Sequence, residues 1–399
     1  VSEWREVALG EVLDIKHGYA FRGEHFGLGG CNRLVTPGNF YEGGGFRDRG
    51  ALQKSYDGPL PGEYVLSPGA LIVAMTEQSP GLLGSSGLVP HDGFQWLHNQ
   101  RIGLVKPLHA EADERFIYSL FNDPSVRGQI SATASGTKVR HTSPGRLKSV
   151  RVRMPSIGTQ RHIAAILSAF DELIEINERR IEVLEDLARS LYREWFVRFR
   201  FPGHEEVEFV DSELGPIPER WEVQSVGEIA QLSYGRSLPA TKRRPGPFAV
   251  VSSAGVVGQH DEALVEGPGI VLGRKGNVGS VWWLNEDFFP IDTTYYVTSD
   301  QPLGFLYWQL SDLQFDNSHA AVPGVSRDHA NSLLVIRPDQ ASVCRFGEHH
   351  TRVFDAIAVL RTQSEALAST RDLLLPRLVT GRLEISDIDL GELLPPEPA

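Results

Sequence analysis

The stretch IAAILSAFDELIEINERRIEVLEDLARSLYREW (163–195) sets Ile163, Leu167, Phe170, Ile174, Asn177, Ile181, Leu184, Ala188, Leu191 and Trp195 at an unbroken 4-3-4-3 spacing. That is the period of a helix burying one stripe against another helix, as in a coiled-coil seam. A helix over 160–197 would be ~57 Å long at 1.5 Å per residue, with Thr159 as its expected N-cap. Such a helix is a strut. A weaker copy follows late in the chain: Phe346, His350, Val353, Ile357, Leu360, Ser364, Leu367, Arg371, Leu374 and Leu378. Antiparallel pairing sets Ile163 against Leu378, Trp195 against Phe346, and Asn177 against Ser364. Asn177 then either hydrogen-bonds at mid-seam and fixes the register, or faces solvent at a break. Ile166, Leu173 and Leu187 on one side, and Ile176 and Val183 on the other, widen the apolar stripe. That width calls for more helices, from this chain's own domains or from partner subunits.

The helices belong to a larger repeat. Trp4, Leu9, Gly10, Glu11 and Gly18 recur 217 positions later as Trp221, Val226, Gly227, Glu228 and Gly235. GTKVRHTSPGRLKSVRVRMP (136–155) resembles HAAVPGVSRDHANSLLVIRP (319–338), displaced by only 183. The chain is therefore two copies of one unit, the first longer by about 34 residues within its globular part. Each copy opens with short apolar runs, such as ALIVAM (70–75), GIVLG (269–273) and TTYYVT (293–298), punctuated by Gly and Pro. These read as strands of a β-rich domain with some helix. The fold class is α+β: two β-rich domains separated by two long antiparallel coiled-coil helices, with an internal pseudo-twofold repeat. FPGHEEVEFVDSELGPIPERW (201–221) reads as the linker into the second copy.

The 399 residues are 41% hydrophobic with no strong bias, enough for two or three domains. No apolar run reaches membrane-spanning length, and the first residues show no signal-peptide pattern. Cys31 and Cys344 form no disulfide framework or zinc site by themselves. A cytoplasmic location is the simplest expectation. No Asn/Asp-Pro-Pro-aromatic loop, Walker A pattern, His-Glu-x-x-His helix or Gly-x-Ser-x-Gly elbow occurs. Asp14-Ile15-Lys16 has the shape of a nuclease metal motif, but no Asp lies upstream to complete it. Neither a catalytic residue nor a metal ligand is therefore assigned.

The net charge of −12 argues against nucleic acid until its distribution is considered. From Arg127 to Ile163 there are eight Lys or Arg and no Asp or Glu. Acids gather instead at 205–213, at 172–186 and in the tail from 384. In the first copy the basic loop offers Lys138, Arg140, His141, Arg146 and Lys148. In the second, the corresponding loop offers His319, Arg327 and His329. SLPATKRRPGP (237–247) adds Lys242, Arg243 and Arg244, and the Gly-rich turn GRKGNVGS (273–280) adds Arg274, Lys275 and Asn277. Arg and Asn read guanine and adenine edges bidentately, and the others suit phosphates. The first copy's matching turn, AMTEQSPGLLGS (74–85), is not basic, so the copies should read different sequences. The aromatic run Tyr192, Trp195, Phe196, Phe199 and Phe201 is expected to pack the helix end on the second domain.

MPSIGTQRHIAAILSAFDELIEINERRIEVLEDL (154–187), DSELGPIPERWEV (211–223), the Trp-x4-Leu-Gly-Glu opening and Arg-Leu-Val-Thr-Gly (377–381) resemble the conserved regions of Type I restriction–modification specificity subunits. The second helix departs from that pattern: its start lacks the Pro-Pro-x-x-x-Gln lead-in seen in many members. The resemblance implies a first target-recognition domain over 1–154, a first conserved helix over 155–200 and a linker over 201–220. A second recognition domain over 221–340, a second helix over 341–382 and an acidic tail over 383–399 would follow. It implies that each domain reads half of a bipartite site in double-stranded DNA, that the helices set the gap, and that two modification subunits dock on the helices. Those subunits would carry S-adenosylmethionine, and motor–nuclease restriction subunits would carry ATP and magnesium. None of these cofactors is expected on this chain, which would be a non-catalytic subunit. Two other readings stay open on the residues alone: a scaffold that binds no DNA, and a self-contained nuclease.

Overall fold

A computed structural model of the chain describes residues 4–78, 81–108, 111–315 and 324–383. The acidic tail beyond 383 lies outside the described residues. The described residues divide into two compact units, one holding those up to 176 together with those from 364 onward, and the other those within 177–363. Each unit therefore contains half of each long helix.

The first long helix spans Ile157–Tyr192 and continues as a wider π turn over Arg193–Val197. Its N-cap is Ser156 rather than the expected Thr159: the Ser156 Oγ accepts from the Thr159 N–H at 3.3 Å. Pro155 precedes it, so the chain turns helical three residues earlier than the apolar period alone indicates. The second long helix spans Gln340–Val379, and the Asp339 carboxylate caps it by accepting from the Ser342 N–H at 3.0 Å. This cap starts the helix without the missing Pro-Pro lead-in. Gly381 ends it with a φ of 72°, folded so closely on the Trp4 indole that a side chain there would collide.

The seam is as spaced in the sequence. Every predicted position from Ile163 to Trp195 and from Phe346 to Leu378 is buried or half-buried, while most of their neighbours are exposed. Ile163, Leu167, Leu374 and Leu378 join the core of unit 1, where Arg371 also pairs with Asp171 at 2.5 Å. Burial pushes the Asp171 carboxyl up, against the opposing pull of Arg371. In unit 2, Phe346 lies 6.1 Å from Trp195 and Arg361 pairs with Glu185 at 2.8 Å. Both units thus hold their helix halves antiparallel. Asn177 is buried, but the Ser364 hydroxyl is buried without a hydrogen bond among the described residues. Leu173, Ile176, Val183 and Leu187 are about half exposed or more, so no domain of this chain covers those widening positions among the described residues.

The globular part of each unit is built on one plan. In unit 1 an antiparallel sheet runs in the order Leu13–His17, Ile102–Pro107, Leu71–Ala74, Ser86–Leu88. In unit 2 the order is Gln231–Tyr234, Thr294–Thr298, Gly269–Gly273, Val281–Leu284. The third strand of each is apolar throughout because it faces two cores. Leu71 and Val73 enter one cluster while Ile72 and Ala74 enter another, as alternation along a strand requires. A two-stranded ribbon closes each unit: Ala8 pairs with Arg151 in the first, and Ser225 with Leu334 in the second.

Two glycine positions of the repeat, four residues in all, are fixed by close contacts. A Cβ at Gly10 would lie 3.0 Å from the Lys148 Cβ, and one at Gly227 3.0 Å from the Asn331 Cβ. Gly18 and Gly235 press on backbone carbonyls, of Asn99 and Ile291 respectively, leaving no room for any side chain.

The extra length of unit 1 goes into its second sheet. Five strands, Phe26–Leu28, Lys54–Tyr56, Asn32–Leu34, Gln95–Leu97 and Val65–Leu66, stand where unit 2 has three, Gly255–His260, Phe248–Ser252 and Phe288–Pro290. The stretch read as a linker is part of unit 2: Phe209–Val210 pairs with Ile217–Pro218, and Phe201, Ile217 and Trp221 are core residues. The aromatic run at the helix end packs there as expected, with the Phe196 and Phe305 rings 4.7 Å apart.

Candidate nucleic-acid interface

The turn after the central strand and the basic loop before the closing ribbon are far apart in sequence, and the fold joins them. In unit 1 the Thr142 N–H donates to the Met75 carbonyl at 2.9 Å. In unit 2 the Val325 N–H donates to the Arg274 carbonyl at 2.9 Å. Arg140–His141 then pairs with Thr76–Glu77 as a short antiparallel ribbon, and Lys275 bridges to Gly324 in the same sense. Of the three loops singled out by charge in the second copy, the turn at 273–280 and the loop before the closing ribbon are therefore one surface.

In unit 1 several of the basic groups are already engaged. Arg140 donates to Glu77 at 2.9 Å and to the Ser131 carbonyl and hydroxyl. Glu77 is buried and also accepts from the N–H groups of Gly81, Leu82 and Leu83 at 2.9–3.0 Å. Arg140 thus neutralises a carboxylate that shapes the turn. Lys148 donates to Asp14 at 3.0 Å and holds that carboxyl below its ordinary value. Arg146 donates to the Ser135 hydroxyl at 3.0 Å, and the His141 ring is 3.1 Å from the Thr76 hydroxyl. Lys138 is exposed, on a loop where Gly136 adopts a φ of 102° because the Val139 carbonyl occupies the space of a side chain.

In unit 2 the joint is more strongly cationic. The Arg274 guanidinium lies 4.9 Å from the Tyr234 ring and 5.5 Å from that of Tyr295, and it donates to the Asp292 carbonyl at 3.0 Å. Arg327 lies over the same Tyr234 ring at 5.2 Å. Lys275, Asn277, Arg327 and His329 are exposed around it. Two guanidinia held over one exposed tyrosine form a flat surface that is prepaid in side-chain order. SLPATKRRPGP places its cations differently. Arg244 is ion-paired to Asp261 at 2.6 Å and Glu262 at 2.8 Å, and its hydrogen bond holds the Asp261 carboxyl down. Arg243 donates to the Val257 carbonyl at 2.6 Å, and Lys242 is exposed. His319 lies outside the described residues.

Charge along the sequence missed one group altogether. Arg47, Arg49, Lys54 and Arg101 line a cleft of about 590 Å³ in unit 1 together with Thr76, Gln78 and Gln100. Arg47 and Arg49 flank Asp48 in one short charged run, while Lys54 and Arg101 stand apart from it, so no basic cluster in the sequence marks the group. The sequence signal was the 34-residue excess of the first copy, which the five-stranded sheet accounts for.

The nuclease-like Asp14 and Lys16 are held apart in function: Asp14 bonds Lys148, and Lys16 bonds Glu63 at 3.0 Å. Among the described residues no three His, Cys, Asp or Glu side chains stand close enough to hold a metal. Among them too, no helix is long and apolar enough to cross a membrane.

Comparison with known proteins agrees with this architecture. Residues 1–186 match the family model of the Type I restriction modification DNA specificity domain. The chain is 23% identical over 303 residues to the Type I restriction enzyme MjaIX specificity subunit of Methanocaldococcus jannaschii, covering 68% of this chain and 70% of that protein. It is 31% identical over 107 residues to the MjaVIII specificity subunit of the same organism, covering 27% of this chain and 24% of that one. Among solved structures, the Type I restriction–modification S subunit from M. genitalium superposes with a TM-score of 0.60 at 18% identity, covering 95% of this chain and 96% of that one. That likeness establishes the fold.

Proposed function

We propose, from the premise that the chain belongs to the family of Type I restriction–modification specificity subunits, that its two units each read one half of a split site in double-stranded DNA. The observation that carries this reading is the repeated joint. The same sheet order and the same 2.9 Å backbone bond present a loop surface twice, and the side chains on that surface differ. Two similar scaffolds with different side chains suit two different short sequences.

In unit 2, Arg274, Asn277 and Arg327 meet base edges, while Lys275, Lys242 and Arg243 meet phosphates. In unit 1, Lys138 and Arg146 approach the backbone, and Arg140 and His141 hold the turn that carries them. Lys148 and Arg244 exchange their carboxylate partners for phosphates or steady their loops. The long helices, 36 and 40 residues, set the number of base pairs left unread between the halves. At 1.5 Å per residue they are ~54 and ~60 Å long.

The exposed Leu173, Ile176, Val183 and Leu187 dock helices of two modification subunits. Those partners hold S-adenosylmethionine and contribute phosphate-binding charge, so this chain can remain acidic. Restriction subunits with ATP and magnesium complete the assembly, and this chain performs no bond-making step itself.

The test is adenine-methylation mapping in cells expressing the modification subunit with and without this chain. A new motif of two short specific parts around a fixed gap is expected. No new methylation, together with no salt-dependent DNA affinity of the assembled complex, would leave the chain a scaffold.

A further inference from the structure

The cleft in unit 1 has a composition that its neighbours lack. Among the described residues, Arg47, Arg49, Lys54 and Arg101 form no salt bridge, although about half of the other arginines of unit 1 do. Among the described residues Asp48 is the one acid lining the cleft, and it is turned to Arg33 at 3.2 Å. Gln78 and Gln100 are exposed and make no side-chain hydrogen bond among the described residues, so both amides are open. Leu52 and Phe26 line the same cleft and are 64% and 39% exposed. Its base is Thr76, whose hydroxyl contacts His141 at the loop joint described above.

Three chemistries thus line one open cleft: unpaired guanidinia, unpaired amides and exposed apolar carbons. A phosphate site would gather cations on a point with backbone N–H groups. Here the cations share one cleft with open amides and exposed apolar groups. That mixture matches the edges of bases: arginine to guanine O6 and N7, glutamine to adenine N6 and N7, and apolar carbon to the thymine methyl. The arginines remain solvated until a ligand arrives, which avoids the penalty of a buried unpaired charge.

We infer that this cleft receives the base edges of the half-site read by unit 1, that Arg101 reads a guanine in it, and that Gln100 reads a neighbouring base. The assignment rests on the DNA-reading function proposed above. It also gives the larger second sheet of unit 1 a purpose: that sheet builds a wall of the cleft, where unit 2 relies on the Arg274–Tyr234–Arg327 surface instead.

The experiment uses the complete complex of this chain with its modification subunit. Methylation is mapped in cells, and binding is measured on duplexes carrying each single-base change in the wild-type motif. Arg101→Ala is expected to relax one guanine position in one half, lowering discrimination there by at least about fivefold. Arg101→Lys, which keeps the charge and is milder for folding, is expected to relax the same position with non-specific affinity unchanged. Arg274→Ala is expected to alter the opposite half. A wild-type split motif that Arg101→Ala and Arg101→Lys both leave unchanged would overturn the cleft assignment alone. So would a uniform loss of affinity across all duplexes with a shallower salt dependence, which marks a phosphate contact. A change in the same half as Arg274→Ala would overturn it as well. Absence of any split motif from the wild-type complex would overturn the function on which the assignment rests.

Discussion

Unit 1 and unit 2 share a sheet order, a closing ribbon, a pair of crowded glycines and the backbone bond that joins their two surface loops. They differ in what that frame carries. Where unit 2 has Arg274 at the joint, unit 1 has Met75, and where unit 2 has a three-stranded second sheet, unit 1 has five strands and a cleft. The comparison shows which residues the repeat must keep and which it can change. Positions held by backbone contact recur, because any side chain there meets a carbonyl. Positions on the surface vary, because solvent accepts any polar group.

The largest test of this equivalence is steric. Gly18→Ala and Gly235→Ala should each destabilise their own unit by about 3 kcal/mol, through overpacking against a backbone carbonyl. Hydrogen exchange read unit by unit should show equal losses. A tolerated alanine at one site only would break the equivalence.

Arg140→Ala tests the difference between the joints. It leaves the buried Glu77 carboxylate without its cation, so unit 1 should lose about 2 kcal/mol, less than a fully buried pair because Arg140 is partly exposed. Lys275→Ala, at the matching joint of unit 2, should leave stability unchanged and weaken only DNA binding. Equal destabilisation of both units would remove the contrast.

Acid should act on both units alike. His98 in unit 1 and His350 in unit 2 are pushed by burial from the ordinary 6.5 down to about 4. Neither ring is charged in the folded chain near pH 5, whereas the unfolded chain takes up both protons. The stabilisation is complete above about pH 7 and is lost as pH falls from there toward 4. By pH 5 each unit should lose about 2 kcal/mol. His350 stacks on Phe354 with ring centroids 4.0 Å apart, so His350→Phe should remove the loss of unit 2 between pH 7 and 5 and leave that of unit 1.

The smallest effect concerns Lys138. Lys138→Ala should leave the recognised motif intact and lower the slope of log affinity against log salt by about 1. A changed motif would move Lys138 from the phosphate backbone to the bases.

What the sequence determined by itself is what repeats with a period. The 4-3 spacing placed every seam residue from Ile163 to Leu378 on a buried stripe, because helical geometry converts spacing directly into a face. The ordered recurrence of Trp4, Gly10 and Gly18 as Trp221, Gly227 and Gly235 revealed two units. Tertiary structure alone decided the rest. It moved the first N-cap to Ser156, folded the supposed linker onto unit 2, and turned Arg140 inward to Glu77. It also gathered Arg47, Lys54, Gln78 and Arg101 into one cleft. Those residues lie on different strands and turns, and their proximity depends on which strands pair. That choice is made by long-range packing, for which no local spacing in the chain is a guide.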